Sequence, residues 1–323
     1  MTTKVMAFGE ALIDFLSNGA TKAGELESFT KFPGGAPANV AVAVARLGGN
    51  SHFVGQVGDD AFGHFLKESL DGYGVNTSNM LMTKEAKTAL AFVSLDQTGE
   101  RSFEFYRSPS ADILFRESDF DATWFADSQG VFHTCSNTLT DADITKATLA
   151  GVSMARKANW IVSIDVNLRM NLWPNGQVDT KRVIDWMQSG DVVKASLEEL
   201  AVLAEDPFAL IEQSLTAGVT LFVLTDGGNP IRFYTATHGV SEVITPKVEV
   251  KDTTAAGDAF VGGLLYKLAE QGGDRAALAA LSQQQLVDIV RFAAACGADS
   301  VTKLGAYPSL PSLSEAEAQL SQF

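Results

Sequence analysis

Apolar and small residues recur at two spacings along the chain, and the alternation of these spacings predicts the fold. Residues 4–8 form a short apolar run that ends at a glycine, which predicts a buried first strand. Helical spacing then runs over 37–47 and stops at a pair of glycines, a pattern typical of a helix end. A strand over 51–57 and an amphipathic helix over 60–73 follow. This β-α-β-α order predicts a parallel sheet with helices on its faces.

Two alternating segments interrupt this order. Residues 88–95 and 101–107 each alternate, and turn-forming residues lie between them at 96–99. They predict a hairpin outside the parallel sheet, in a small β appendage. The first order then resumes, with strands predicted at 130–134, 160–166, 191–194 and 220–225, helices at 141–157, 180–189, 197–204, 257–270 and 286–298, and a second hairpin pairing 231–234 with 240–244.

Composition and charge narrow the class of protein. The 323 residues are 46% hydrophobic and 20% charged, which is a globular composition. Acidic residues outnumber basic ones 39 to 24, so neither nucleic acid nor an anionic membrane is expected as a partner. No apolar run approaches the roughly 20 residues that span a bilayer. Two distant cysteines and four scattered histidines predict reduced core thiols, a cytoplasmic protein and no transition-metal site.

The segment 252–263 is the first candidate for chemistry. Small residues at 255–257 leave room for a ligand, and a helix is predicted to begin immediately afterwards, so its free N–H groups favour an anion. Asp258 would stand beside that anion, where a carboxylate can take a proton from an attacking hydroxyl. An ordinary helix start, capped by threonine and aspartate, is the alternative interpretation.

Two further positions suit a sugar. Gly34 and Gly35 permit a tight turn and close approach to a ligand, and Asn39 would follow in the first turn of a helix. Asp14 follows the first strand, where open α/β sheets bind ligands, and its carboxylate can accept from two hydroxyls. The alternatives are a solvated asparagine and a loop cap. Neither a P-loop nor a dinucleotide-binding glycine fingerprint is found, so NTPases of the Walker type and dinucleotide oxidoreductases lose their main support.

Taken together, residues 34–41 and 252–265 resemble the two signatures of the PfkB (ribokinase-like) carbohydrate kinases, and the match extends from Gly9 to about Pro311. Residues 99–107 followed by 109–112 resemble the fructokinases within that family. Residues 165–169 with Leu172 and Trp173 are shared by fructokinases and 2-keto-3-deoxygluconate kinases. The resemblance implies one kinase domain over 1–323, a doubly wound α/β fold with helices on both faces. It also implies a small β-sheet lid, from segments near 10–33 and 86–112, that pairs into a homodimer.

The activity implied by the resemblance is ATP-dependent phosphorylation of D-fructose to fructose 6-phosphate. Asp258 would be the catalytic base, and the amides of Ala255, Ala256 and Gly257 would form the anion hole. The implied sugar-binding residues are Asp14, Gly34, Gly35, Asn39, Arg107 and Arg169. The rivals are 2-keto-3-deoxygluconate kinase, whose substrate needs a positive pocket that the two arginines could supply, aminoimidazole riboside kinase and ribokinase. A catalytically silent sugar-binding module is the rival from another class.

The resemblance also implies a nucleotide site and two ion sites. Lys194, Ser196, Glu199, Thr225, Gly227 and Gly257 would bind ATP, and Glu199 would orient water on Mg²⁺. A K⁺ site is implied at Asp252, Thr254, Ser300, Lys303, Gly305 and Ser309, through carbonyls or hydroxyls. The chain departs from the family pattern at three positions. Ser196 replaces an asparagine, Ala255 replaces a glycine at what we expect to be little cost, and Ala294 replaces an asparagine or histidine near the adenine.

Overall fold

The structure is a computed structural model that describes residues 3–18, 28–95, 101–127 and 129–322. The strands of the described residues are β1 (Lys4–Phe8), β2 (Leu12–Ser17), β3 (Phe29–Gly34), β4 (Asn50–Gly58), β5 (Met80–Thr83), β6 (Leu90–Leu95), β7 (Arg101–Tyr106), β8 (Gly130–Cys135), β9 (Ile161–Asp165), β10 (Val192–Ser196), β11 (Leu221–Thr225), β12 (Ile231–Thr235) and β13 (Gly239–Val243). The helices are α1 (Ala36–Arg46), α2 (Ala61–Gly72), α3 (Ala142–Lys157), α4 (Thr180–Met187), α5 (Leu197–Leu203), α6 (Pro207–Ala217), α7 (Ala256–Glu270), α8 (Arg275–Ala279), α9 (Gln283–Ser300) and α10 (Leu313–Leu320).

The main sheet has nine strands in the order β13-β12-β11-β10-β9-β8-β1-β4-β5. Strands from β11 to β5 are parallel, while β12 and β13 form an antiparallel hairpin at one edge. Lys4 of β1 pairs with Asn50 of β4 on one side and with Gly130 of β8 on the other. The main-sheet strands that follow β1 in the sequence therefore lie on both sides of it, with β4 and β5 on one side and β8 to β13 on the other. Where the strand order reverses in this way, a crevice opens at the carboxyl ends of the central strands.

Helices cover both faces of this sheet. Phe8 belongs to a buried cluster with Ile144 of α3 and Val183 of α4. Val5, on the opposite face of β1, belongs to a cluster with residues of α1, α7 and α9. Such two-sided burial explains the continuous apolar runs of the central strands. The prediction of a mostly parallel, doubly wound α/β fold is confirmed.

Close packing of α1 against α7 brings the two signature segments together. A Cβ atom at Gly262 of α7 would clash with Ala43 of α1, so the glycine lets the two helix backbones approach. Asn39 lies in the first turn of α1 and Asp258 in the first turn of α7. The helix packing thus holds two residues that are 219 positions apart in the sequence within hydrogen-bonding distance.

A separate four-stranded sheet has the order β3-β2-β6-β7, and we call it the lid sheet. Strands β6 and β7 are the predicted first hairpin, and they pair antiparallel outside the main sheet. The turn predicted at 96–99 lies outside the described residues. Phe15 of β2 stacks on Phe92 of β6 and meets Phe62 of α2 edge-on, which attaches the lid sheet to the main body.

Several elements are absent from the sequence predictions. Helix α6 begins at Pro207 after the cap residue Asp206 and ends at Gly218, whose φ of 116° is left-handed. These start and stop signals are visible in the sequence. Strand β5 and the short helices α8 and α10 were also not predicted. Across the described part of the chain, none of the helices combines the length and apolar character that crossing a membrane requires.

Candidate active site

A cleft of about 480 Å³ opens where the carboxyl ends of the central strands meet the lid sheet and the start of α7. The polar and charged side chains on its wall come from at least five separate segments of the chain. They are Glu10, Asp14, Asn39, Arg107, Asn137, Asp165, Asn167, Arg169, Asn171, Lys194, Glu199, Thr253, Thr254 and Asp258. Gly35, Ala36 and the small residues Ala255, Ala256 and Gly257 also line it. The cleft therefore unites most of the predicted sugar and anion-hole residues.

Asp14 reaches the cleft from the lid sheet. The sequence predicted that Asp14 follows β1, within the segment near 10–33 implied to form the lid, and Asp14 lies in β2, where it pairs with Phe32 and Ala91. The strand forms because residues 12–17 pair with β3 on one side and with β6 on the other. A Cβ atom at Gly34 would clash with the Asp14 carboxylate, so the absence of a side chain at Gly34 makes room for this acid. Gly35 has a φ of 103°, which only glycine adopts readily, and it turns the chain into α1.

Burial changes the protonation of Asp14. Removal from water raises the pKa of its carboxyl to about 7, and the nearby carboxylates of Asp258 and Glu10 act in the same direction. Arg169 lowers this pKa. Two acids with like charge thus lie close together at this end of the cleft, which suits hydroxyl groups as ligands better than an anion.

Asn39 and Asp258 form the central contact of the cleft. Nδ2 of Asn39 donates to Oδ2 of Asp258 at 2.7 Å, and both side chains are buried. Burial raises the pKa of Asp258 above its ordinary value. The hydrogen bond from Asn39 and the charges of Arg169 and Lys194 act in the opposite direction and offset part of this increase. A buried carboxylate with one firm hydrogen bond and nearby cations is suited to accept a proton from a bound hydroxyl.

The predicted anion hole lies at the start of α7. Ala255 has φ of 60° and ψ of 10°, a left-handed conformation in which a side chain costs about 1–2 kcal/mol. The expectation that alanine costs little at this position is therefore wrong. The amide of Ala256 donates to the carbonyl of Thr253 at 3.3 Å, so a bound anion would compete with this weak internal bond.

Lys194 lies beside this helix start. Its Nζ donates to Oδ1 of Asp165 at 3.0 Å, and a Cβ atom at Gly257 would stand 3.2 Å from the same Nζ. Burial lowers the pKa of Lys194, but Asp165 and Glu199 more than offset this effect, so the pKa is raised and the ammonium stays charged. A fixed positive charge next to free helix N–H groups favours a phosphate.

Glu199 lines the cleft but is strongly held by backbone groups. Its Oε2 accepts from the amide of Ser196 at 2.7 Å and its Oε1 from the amide of Leu168 at 3.0 Å. Ser196 in turn caps α5 through its hydroxyl, which accepts from the amide of Glu199. The serine that replaces the family asparagine thus has a structural role as the helix cap. The carboxylate of Glu199 is fixed in orientation and retains lone pairs for water.

Arg107 follows β7 directly and lines the cleft. Its Nε donates to Oδ2 of Asp112 at 2.6 Å and its Nη1 to the carbonyl of Asn137 at 2.8 Å. Arg169 also lines the cleft but is exposed, and it interacts electrostatically with Asp14 and Asp258. The two arginines therefore differ, because Arg107 is buried in an ion pair and Arg169 reaches solvent.

The residues predicted to bind a monovalent cation lie in two segments, near 252–254 and 300–309, which a hydrogen bond between Gly305 and Asp252 connects. Oδ1 of Asp252 accepts from the amide of Thr254 and Oδ2 accepts from the amide of Gly305, at 2.7 and 3.0 Å. These three residues line one cavity of about 30 Å³ together with Asp14. Ser300 and Ser309 are buried and donate to backbone carbonyls. Lys303 directs its ammonium to Asp299 and Glu315, which leaves only its backbone carbonyl for an ion.

The described residues contain no cluster of three acidic, histidine or cysteine side chains that could hold a metal ion by themselves. Thr225 and Gly227 lie at and after the end of β11, outside the cleft wall, and Thr225 pairs with Ser196 of β10.

Sequence reasoning gave no role to Glu10, Asn137, Asp165 or Asp112. Asp165 ends β9, and Glu10 and Asn137 lie shortly after the ends of β1 and β8, a position that was an available signal.

A family model for the pfkB family of carbohydrate kinases matches residues 2–313. The chain belongs to this family. This pfkB kinase is 40% identical over 326 residues to a probable fructokinase-7 of Arabidopsis thaliana, an alignment that covers 99% of this chain and 93% of that protein.

Two solved structures are similar to this pfkB kinase over nearly its whole length. One is fructokinase with bound ATP from Xylella fastidiosa, with a TM-score of 0.93, 46% identity and coverage of 100% of this chain and 99% of that chain. The other is a double mutant of fructokinase from Vibrio cholerae O395, in a form with bound fructose, ADP and potassium ion. Its TM-score is 0.85, with 33% identity and 98% of each chain covered.

Proposed function

We propose that this pfkB kinase transfers the γ-phosphoryl group of ATP to D-fructose and releases ADP and fructose 6-phosphate. The observation that carries the proposal is the buried Asp258, which lies at the start of α7 and is held by Asn39 in one cleft with Asp14. The likeness to fructokinases along the chain supports fructose as the sugar.

The sugar binds at the lid-sheet end of the cleft. Asp14 and the carbonyl oxygen of Asn39 accept hydrogen bonds from its hydroxyls, while Arg107 and Arg169 donate to its oxygens. Gly34 and Gly35 allow the backbone to approach the sugar closely. In this position the hydroxyl that attacks lies next to the Asp258 carboxylate.

The transfer is an in-line displacement. The attacking oxygen forms a bond to the γ-phosphorus as the bond from that phosphorus to the oxygen of the leaving ADP breaks. Asp258 accepts the proton of the attacking hydroxyl, and the electron pair of the broken P–O bond leaves with the ADP oxygen. The amides at 255–257 and the ammonium of Lys194 stabilise the charge on the phosphoryl oxygens.

ATP enters from the side of β10 and β11, where Ser196, Thr225 and Gly227 lie. The residues present fit Mg²⁺ held mainly by phosphates, since Glu199 offers a fixed carboxylate that can orient metal-bound water. Mg²⁺, when bound, neutralises the phosphate oxygens. A K⁺ ion would be held by carbonyls and hydroxyls of the two loops that Asp252 joins, where its buried carboxylate accepts from the amides of Thr254 and Gly305.

The whole chain acts as one kinase domain, and the lid sheet covers the sugar. An aromatic cluster on this sheet contains Phe15, Phe29, Phe92 and Tyr106, of which Phe29 and Tyr106 are exposed by 36% and 56%. This surface pairs with the lid sheet of a second copy. The buried thiols of Cys135 and Cys296 suit the reducing cytoplasm.

The runner-up substrate is 2-keto-3-deoxygluconate. Its carboxylate needs a positive partner, and the Arg107 guanidinium is already paired with Asp112. Arg169 alone faces the cleft from the exposed side, next to two acids. The charge distribution therefore favours a neutral sugar.

The deciding experiment measures ADP release with ATP, Mg²⁺ and K⁺ for fructose, 2-keto-3-deoxygluconate, ribose and aminoimidazole riboside. We expect strong turnover with fructose alone, and preference for the keto acid would overturn the substrate assignment. The Asp258→Asn variant should retain fructose binding in calorimetry and lose turnover by about two to four orders of magnitude. Near-normal turnover of that variant would exclude Asp258 as the base.

A further inference from the structure

Arg107, which lines the cleft, forms a buried ion pair with Asp112 behind the cleft wall. The side chains are only 6% and 3% exposed. The hydroxyl of Ser110 donates to Oδ1 of Asp112 at 2.5 Å, which fixes the orientation of the carboxylate. Since Oδ1 of Asp112 is fixed by Ser110, its Oδ2 fixes the position of the Arg107 guanidinium.

The guanidinium of Arg107 has one nitrogen left for a ligand. Nε and Nη1 are bonded to Asp112 and to the carbonyl of Asn137. Nη2 is buried and donates to no acceptor within the described part of the chain. Since Arg107 lines the cleft, an oxygen of a bound sugar can satisfy this donor.

The positive charge of Arg107 is balanced within the protein. Asp112 pairs with it directly, and the buried Glu10 interacts electrostatically with it from the other side. The second buried cation of the cleft, Lys194, is balanced by Asp165 in the same way. An anionic group on the sugar would therefore meet an arginine whose charge is already compensated, with two acids nearby.

We propose that Asp112 is a positioning residue that determines substrate class. It holds Arg107 so that the guanidinium can donate to a sugar oxygen, and it cancels the charge that would otherwise attract a carboxylate. The cleft thereby selects neutral sugars against sugar acids. A sugar acid is disfavoured because its carboxylate finds no unpaired cation and meets nearby acids, while a neutral sugar needs only the hydrogen bonds. The inference rests on the proposed function, since it takes fructose as the substrate.

The test compares fructose with 2-keto-3-deoxygluconate in the ADP-release assay. Asp112→Asn preserves the shape of the side chain and an acceptor for Arg107 but removes the charge. We expect the ratio of kcat/KM for fructose to kcat/KM for the acid to fall about tenfold or more, because a buried guanidinium that has lost its directly paired carboxylate attracts a carboxylate of the substrate. Asp112→Glu should retain the wild-type ratio, since it keeps a negative charge beside Arg107.

Two further variants connect the effect to Arg107. In an Arg107→Met background, Asp112→Asn should no longer change the ratio, because the positive charge that Asp112 compensates is absent. Asp143→Asn is the matched control, because Asp143 forms an exposed ion pair with Lys146 at 2.9 Å, outside the cleft wall. It should leave both kcat/KM values unchanged.

The outcomes separate this inference from the proposed function. The wild-type ratio tests fructose as the substrate, whereas its change on substitution tests Asp112. An unchanged ratio in folded Asp112→Asn overturns the inference even if the wild type prefers fructose. If that variant does not fold, Ser110→Ala decides. Loss of its hydrogen bond to Asp112 should lower the ratio about two- to fivefold, and an unchanged ratio would count against the inference.

Discussion

The side-chain amide of Asn39 donates to the carboxylate of Asp258 at 2.7 Å across the contact between α1 and α7. An ionised carboxylate only accepts hydrogen bonds, so Nδ2 has to face Asp258 and Oδ1 has to face away from it. That Oδ1 is buried and has no partner within the described residues. A hydroxyl of the bound sugar would satisfy it, and Asn39 would then join the substrate to the proposed catalytic base.

Removal of the Asn39 amide should make the enzyme less active at low pH. The hydrogen bond from Asn39 lowers the pKa of Asp258, which must be deprotonated to act as a base. In Asn39→Ala this pKa rises, so the acid limb of the kcat/KM profile moves to higher pH, by about one unit for one hydrogen bond to a charged group. The other charged groups that face this site, Asp14, Asp165, Arg169 and Lys194, are unchanged in the variant.

Gln284→Ala is the control for this measurement, because it removes an exposed amide that donates to Asp288 at 2.9 Å on α9. Its pH profile should match that of the wild type. A higher KM for fructose in Asn39→Ala, with an acid limb at the wild-type position, would show that Asn39 binds sugar without tuning the base.

Gly257→Ala should slow the chemical step. The new Cβ would lie 3.2 Å from Nζ of Lys194, which is fixed by Asp165 and has little room to move. Displacement of this ammonium by a few tenths of an ångström should lower kcat about tenfold, with a smaller effect on KM for fructose. Gly72→Ala on α2, where a Cβ meets nothing within 4 Å, is the matched substitution and should keep the wild-type kcat.

Ala255→Gly should stabilise the protein. The left-handed conformation at Ala255 costs an alanine about 1–2 kcal/mol, and glycine removes this cost but adds freedom to the unfolded chain. We expect a net increase of about 0.5–1 kcal/mol in the free energy of unfolding by denaturant titration. Ala318→Gly in the exposed part of α10 is the opposite case and should lower it by about 0.5–1 kcal/mol. Equal effects of the two variants would contradict the conformational argument.

Asp14→Asn should raise thermal stability at alkaline pH. The folded pKa of Asp14 is about 7, above its ordinary 3.8, so the contribution of Asp14 to stability is full below pH 4 and is lost as pH rises through 7. The variant escapes this decline, and its Tm at pH 8 should exceed the wild-type value by at least roughly 2 °C. The difference should vanish near pH 4, as followed by circular dichroism.

Asp71→Asn provides the opposite sign for comparison. Burial raises the pKa of Asp71, but hydrogen bonds from Thr77 and Lys67 more than offset it and hold the pKa below its ordinary value. Its stabilising effect is therefore present above pH 4 and is lost as pH falls. This variant should melt below the wild type at pH 8. A lower melting temperature for Asp14→Asn at pH 8 would overturn the assignment of a raised pKa.

Much of the fold could be predicted from local pattern. Strand β1 and helix α1 appear in the sequence as an apolar run and a helical repeat, because burial dictates both spacings. Strand β2 could not be predicted in the same way, since its partners β3 and β6 are set by pairing between distant segments. The family resemblance nevertheless implied a β lid from a segment near 10–33, and the position of Asp14 after the first strand predicted its approach to the ligand site.

The candidate site was predictable where a motif specified backbone geometry. Asp258 and Gly257 follow from a helix start that binds anions, and the cleft contains both. The pairing of Arg107 with Asp112 was not predicted, because the two residues are only five apart and either could have faced solvent. The conformation of Ala255 was also missed, since side-chain identity does not reveal a positive φ.

Asp14 shares the lid sheet with residues that touch α2 well away from the cleft. Phe15, the next residue, meets Phe62 of α2, and Lys31 of β3 lies 3.5 Å above the ring of Phe65. These contacts attach the strand that carries Asp14 to α2. If Asp14 binds the sugar as proposed, substitutions at Phe62 or Phe65 should change sugar affinity although neither residue lines the cleft.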